Sequence, residues 1–124
     1  MDFKIELVHI PVSDVDRAKA FYTDKAGFNA DVDVQVSEQV RFVQLTPPGS
    51  ACSIAIGTGL GMDAPPGSVK GVQVVVADIE AARAELTGRG VEVSGVQDLP
   101  WGRFVSFDDP DGNHWTLQQV PPRG

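Results

Sequence analysis

The sequence predicts an α+β protein made of two copies of a βαβββ unit, and three observations carry that reading. A strand, an acidic helix cap and an amphipathic helix occur twice, displaced by about 64 residues from Asp14 to Asp78. Three short strand-like runs follow each helix. A stretch rich in glycine and proline, residues 57–70, separates the copies. The same shift aligns Val12 with Val76, Ala18 with Ala82, Ala20 with Ala84 and Thr23 with Thr87. The repeats therefore occupy about residues 3–58 and 68–121 of a 124-residue chain. That length suits a single domain, 1–124, able to bury a core without metal or disulfide.

Residues 6–12 alternate, with Val8, Ile10 and Val12 facing one way and Leu7, His9 and Pro11 the other. Pro11 suits an edge or a strand end, because it has no N–H to give a ladder. Ser13 and Asp14 supply capping oxygens, Val15, Ala18, Phe21 and Tyr22 recur at helical spacing, and Gly27 is the expected stop. Strands are expected at 30–36, 40–45 and 52–56. The second copy opens with a strand at 71–76. Asp78 then caps a helix carrying Ile79, Ala82 and Leu86, which Gly88 and Gly90 end. Strands are expected again at 91–96, 104–107 and 114–120. The last two are joined by Asp109-Pro110-Asp111-Gly112-Asn113, where Pro110 presets a negative φ, Gly112 tolerates a positive one and the polar side chains can bond nearby backbone. The glycines at 57–61 lack the Gly-Lys-Ser/Thr ending and following helix of a phosphate cradle, so the segment reads as a linker.

Each helix needs a sheet face to cover, which leaves every sheet with a second, open face. Alternation assigns Val8, Ile10, Val12, Val72, Val74, Val76, Val43 and Leu45 to the helix side. Leu7, His9, Phe42, Gln44, Thr46, Gly71, Gln73, Val75, His114, Thr116 and Gln118 fall on the open side. Curved sheets placed side by side would turn those open faces into a trough.

Composition narrows the classes. A formal net charge of −7 argues against nucleic acid, whose phosphates need clustered Lys and Arg, and fits a neutral or cationic small ligand. No stretch approaches the roughly 18 apolar residues of a membrane span, so no membrane partner is expected. Residues 1–6 lack the basic start and apolar centre of a secretory signal, which points to the cytoplasm. Cys52 stands alone, excluding an internal disulfide and a thiolate cluster, and is expected as a small buried residue.

The duplicated unit, the run Val-Ser-Asp-x-x-x-Ala-x-x-Phe-Tyr at 12–22, the strand ending Leu45-Thr46-Pro47-Pro48-Gly49-Ser50 and the turn at 109–113 together resemble the vicinal oxygen chelate superfamily. That group includes glyoxalase I, extradiol dioxygenases, fosfomycin-resistance enzymes and bleomycin-resistance proteins. The resemblance implies two curved mixed sheets around an open trough, and a homodimer in which the trough is completed across the subunit contact. It also implies four metal-ligand positions, one per strand, at Leu7, Gln44, Gly71 and Thr116. Leu7 and Gly71 stand at matching places, seven residues before their caps. Neither side chain can bind a metal, and the neutral oxygens of Gln44 and Thr116 make a poor site for Zn²⁺, Ni²⁺ or Fe²⁺. No metal and no cofactor is therefore expected.

The candidate ligand-binding residues are His9, Phe42, Gln44, Gln73, Trp101, Arg103, His114 and Thr116. His9 is also the candidate catalytic residue, because an imidazole with a pKa near about 6.5 suits proton transfer. Trp101 offers a flat apolar face and Arg103 a donor fork, a pair suited to a planar or carboxylate-bearing ligand. Three functions compete. The first is a metal-free protein binding a small amphipathic or aromatic molecule, of drug- or metabolite-resistance type. The second is a lyase, dioxygenase or isomerase with an unorthodox site using His9, metal-dependent lyase or dioxygenase activity being disfavoured. The third is a dimeric module serving another protein.

Overall fold

The computed structural model describes residues 1–122. The first unit comprises β1 (Leu7–His9), α1 (Val15–Ala20), a π-helical turn (Phe21–Lys25), β2 (Asn29–Gln35), β3 (Arg41–Thr46) and β4 (Ser53–Thr58). The second comprises β5 (Val72–Val75), α2 (Ile79–Gly88), β6 (Gln97–Leu99), β7 (Gly102–Asp108) and β8 (His114–Gln119). Each unit makes one four-stranded mixed sheet, ordered β1-β4-β3-β2 in the first (sheet A) and β5-β8-β7-β6 in the second (sheet B). In both, the opening strand runs parallel to the last strand of its unit and the other pairs are antiparallel. The matching orders bear out the duplicated βαβββ reading.

Both helices start where the aspartates place them. Asp14 accepts from the Arg17 N–H at 3.0 Å, and Asp78 from the Glu80 and Ala81 N–H groups at 3.0 Å, satisfying amides that have no partner inside the helix. α1 then widens: the Ala26 N–H reaches back to the Phe21 carbonyl at 3.0 Å, and Gly27, at φ +81°, ends the turn. α1 lies against β4, and α2 against β7 and β8.

The helix sides of both sheets share one apolar core that includes Ile10, Tyr22, Val43, Leu45, Ile54, Ile56, Ile79, Val105 and Trp115. At its centre the Trp115 ring stands 5.4 Å from Phe28, 5.7 Å from Tyr22 and 6.0 Å from Phe107, so the second unit's tryptophan is packed by the first unit's helix end. The 109–113 turn locks this junction. Asp109, buried, accepts from the Tyr22 hydroxyl at 2.7 Å, the Asn113 side chain at 2.8 Å, and the backbone N–H groups of Asn113 and Asp111 at 2.9 and 3.0 Å. Asn113, fully buried, donates to the Pro11 carbonyl at 2.8 Å. Asp111 accepts from the Ser13 hydroxyl at 2.5 Å. The aspartates expected as turn formers thus also clamp the first unit. Burial, with the Asp109 carboxylate beside it, holds the Tyr22 phenol far above its ordinary pKa.

Two elements depart from expectation. Residues 91–96 form no ladder strand; β6 begins at Gln97. The reason lies at Ser94, whose N–H donates to the Ser106 carbonyl at 2.9 Å while its hydroxyl, rather than a backbone carbonyl, accepts from the Ser106 N–H at 2.9 Å. A side chain has taken the place of the backbone acceptor and interrupted the edge. The first strand shortens to three residues, and Val8, assigned to the covered side, is 44% exposed because β1 is an edge strand and α1 covers its neighbour β4.

Candidate functional site

The open face of sheet A is built in rows set by strand register. Leu7 stands beside Ser53, and Ser53 beside Thr46. His9 stands beside Ala55, Ala55 beside Gln44 and Gln44 beside Val32. Gly57 stands beside Phe42 and Phe42 beside Val34. His9 and Gln44 are therefore two strand spacings apart, roughly 10 Å, with only the Ala55 methyl between them. Val34 is 46% exposed, so the Phe42 row presents apolar surface to whatever lies above it.

A β-bulge at Asp31, between the Ala30 and Val32 pairings, turns that carboxylate onto the same face. Asp31 accepts from the Thr46 hydroxyl and from the Asn29 side chain, bonds that hold its carboxyl below the usual carboxylate range. The Thr46 and Ser53 hydroxyls lie 2.6 Å apart, and the Gln44 Nε2 donates to Ser53 at 3.2 Å. Asp31, Ser53 and the continuous chain they make were not singled out from the sequence. Ser53 has the parity of Leu7 and was within reach of it; the bulge that aims Asp31 was not.

On sheet B, Gln73 stands beside Thr116 and Thr116 beside Ser106, while Val75, Gln118 and Phe104 form the next row. The Gln73 Nε2 donates to the Gln118 Oε1 at 2.6 Å, and the Gln118 Nε2 to the Trp101 carbonyl at 3.0 Å. Trp101 sits in the turn between β6 and β7 and is 60% exposed; Val75, paired with the Gln118 that bonds the Trp101 carbonyl, is 66% exposed. Gly102 follows it because a Cβ there would crowd the Gln119 carbonyl at 2.8 Å. His114 pairs across the strands with Asp108, its Nδ1 2.7 Å from the carboxylate. His9 is exposed and makes no side-chain hydrogen bond among the described residues.

Arg103 does not lie on the open face. β7 starts at Gly102, which gives Arg103 the parity of Val105 and Phe107, on the helix side. There its guanidinium bonds Asp98 at 2.7 Å and lies 3.8 Å from Glu80, and both carboxylates raise its pKa. Gly71 is exposed and carries no side chain, and Leu7 is half-buried on the face that also holds Gln44.

A cleft of about 520 Å³ opens at the edge of β5, lined by Phe28, Pro47, Pro48, Val74, Leu86 and Arg89 among others. Its charged pair, Glu85 and Arg89, is closed on itself at 2.8 Å. Gln73 and Val75 also line the cleft, so it adjoins the open face of sheet B; among the described residues the side-chain carbonyls of Gln44 and Gln73 have no hydrogen-bond partner, which makes the open faces the candidate for recognition.

This architecture defines a class: paired βαβββ units whose helix sides are fused and whose other sides remain open. The chain belongs to the Glyoxalase/Bleomycin resistance protein/Dioxygenase superfamily, whose profile matches residues 4–117. Among solved structures it is similar to TnmS3, an antibiotic binding protein from Streptomyces sp. CB03234, at 37% identity and a TM-score of 0.86 over 97% of this chain and 98% of that one. A superfamily member from Sphaerobacter thermophilus DSM 20745 matches at 33% identity and a TM-score of 0.83, over 95% and 98% of the respective chains. The YetH protein of Bacillus subtilis strain 168 is 28% identical over 94% of this chain and 98% of its own. Among the described residues no helix is long and apolar enough to cross a membrane.

Proposed function

We propose that this chain is a small-molecule-binding protein of the bleomycin-resistance type, holding an amphipathic or aromatic molecule against its open sheet faces without a metal. The observation that carries the reading is the likeness, along almost the whole chain, to an antibiotic binding protein. Exposed apolar surface at Val34 and Val75, on the faces that carry the amides of Gln44 and Gln73, and at Trp101, whose carbonyl Gln118 holds, supports it. Covering such a side chain with a ligand stabilises by roughly 2 kcal/mol. The four metal positions implied by the family fit a metal poorly: Leu7 and Gly71 bring no donor, which leaves only the neutral oxygens of Gln44 and Thr116. No step through a metal is derived.

The molecule acts as a homodimer in this reading. Met1, Phe3 and Ile5 are exposed by 105%, 86% and 71% on alternate positions of the arm before β1, apolar surface of the kind a second copy would cover. Sedimentation of the purified protein tests that part; a monomer at micromolar concentration sinks it.

Titration with amphipathic aromatic antibiotics, read by tryptophan fluorescence, tests the rest. Saturable binding is expected, lost in Phe42→Ala and Trp101→Ala. Binding indifferent to both variants would move the site elsewhere. Equimolar tightly held metal in protein purified without chelator would overturn the metal-free reading, and gain of metal only in the Leu7→His/Gly71→His double variant would support the four placements. An enzymatic alternative keeps one specific observation: an orienting partner favours a general base, and His114, held by Asp108, has one whereas His9 has none among the described residues. Turnover abolished by His114→Gln and untouched by His9→Gln would establish it.

A further inference from the structure

Each open face carries a chain of hydrogen bonds whose direction is imposed from its far end. On sheet A the far end is Asp31, exposed and ionised, which can only accept. The Thr46 hydroxyl therefore gives Asp31 its one proton, and must itself accept from Ser53. Ser53, its proton now used, accepts from the Gln44 Nε2. The amide is left with its Nε2 turned to Ser53 and its carbonyl without a partner among the described residues. On sheet B the far end is the Trp101 backbone carbonyl, also acceptor-only. Gln118 donates to it, so the Gln118 carbonyl accepts from the Gln73 Nε2, and the Gln73 carbonyl is left without a partner among the described residues. Two unrelated chains, one ending on a carboxylate and one on a peptide carbonyl, arrive at the same outcome.

We infer that the two open faces present fixed amide carbonyls at Gln44 and Gln73, and so select ligands carrying O–H or N–H donors over analogues in which those donors are capped. The inference rests on the open faces being the binding site, and goes beyond that reading in naming what the ligand must offer. A phenol, a hydroquinone or an amide N–H satisfies a bare carbonyl; an ether oxygen of the same shape meets it lone pair to lone pair. Ser53, 4% exposed, is the relay that makes the orientation of Gln44 depend on a carboxylate that does not touch it.

The test uses ¹⁵N-labelled full-length protein titrated with 2-naphthol and with 2-methoxynaphthalene, following the side-chain amides of Gln44 and Gln73. Naphthol is expected to bind about tenfold more tightly, the effect of one hydrogen bond made against one acceptor left bare. Independently of any ligand, the Gln44 amide protons are expected to exchange slowly. That protection should weaken in Asp31→Asn, whose amide permits either direction, and disappear in Thr46→Val, which cuts the chain. Gln118→Leu should do the same to Gln73 alone. Equal affinity for the two naphthalenes, or Gln44 protection identical in all three proteins, overturns the inference. If neither naphthalene binds, the placement of the site fails, and the amide pattern alone then upholds or overturns the fixed orientation.

Discussion

Two aspartates at opposite sides of the sheets make a useful comparison. Asp109, on the closed side, is buried and receives four donors, two from side chains and two from its own turn. Asp31, on the open side, is exposed and receives the Thr46 hydroxyl and the Asn29 amide. The first ends every chain of bonds that reaches it. The second begins one, and that chain runs out at an amide with an unused carbonyl. Where polar atoms satisfy one another the structure holds itself together; where a chain stops short, the remaining atom is available to something outside the protein.

The largest effects should come from the closed side. Trp115→Ala removes the ring shared by Tyr22, Phe28 and Phe107, and should destabilise by roughly 4 kcal/mol in urea unfolding. Asp109→Ala strands four donors and should cost a similar amount, on the order of 3–5 kcal/mol. A loss below about 1 kcal/mol would mean that the turn is not the clamp described. Tyr22→Phe should cost about 2 kcal/mol, because it also takes the acceptor from the Trp115 N–H, 3.0 Å away.

A smaller effect should appear as pH dependence. Arg41, then Lys19, hold the Asp33 carboxyl well below the usual range. Its folded pKa is depressed, so its contribution is fully present above the ordinary carboxylate value near about 4 and is lost as pH falls from there toward the folded pKa. Unfolding midpoints measured across that window should fall less steeply in Asp33→Asn than in the natural sequence. The smallest stability change belongs to the exposed turn before β7: Trp101→Ala should move stability by no more than about 0.5 kcal/mol, since Trp101 is 60% exposed, while removing ligand binding. A large stability loss there would erase the contrast between the two sides.

Much of this was legible in the residues. The repeat, both caps, the sheet parity of Phe42, Gln44, Gln73, Thr116 and His114, and the turn at 109–113 follow from spacing and local chemistry, which act over a few residues. Arg103 lies outside a strand begun at Phe104; with β7 begun at Gly102, alternation alone sends it to the helix side. Asp31 was unreadable because a bulge shifts parity without leaving a pattern, and Ser94 because its side chain substitutes for a backbone group. The chain through Thr46 and Ser53 required both a register and a bulge before it could be seen.

The clamp at the 109–113 turn also bears on the order in which the molecule can assemble. Pro11 meets Asn113 across 102 positions of sequence, Ser13 meets Asp111 across 98 and Tyr22 meets Asp109 across 87. As the polypeptide leaves the ribosome, the first repeat emerges with its carbonyl, hydroxyl and phenol unmatched, and it waits for nearly the whole of the second to be synthesised before it can close. Translation that stops before the last hairpin leaves the first unit without Trp115, the ring that Tyr22 and Phe28 pack against.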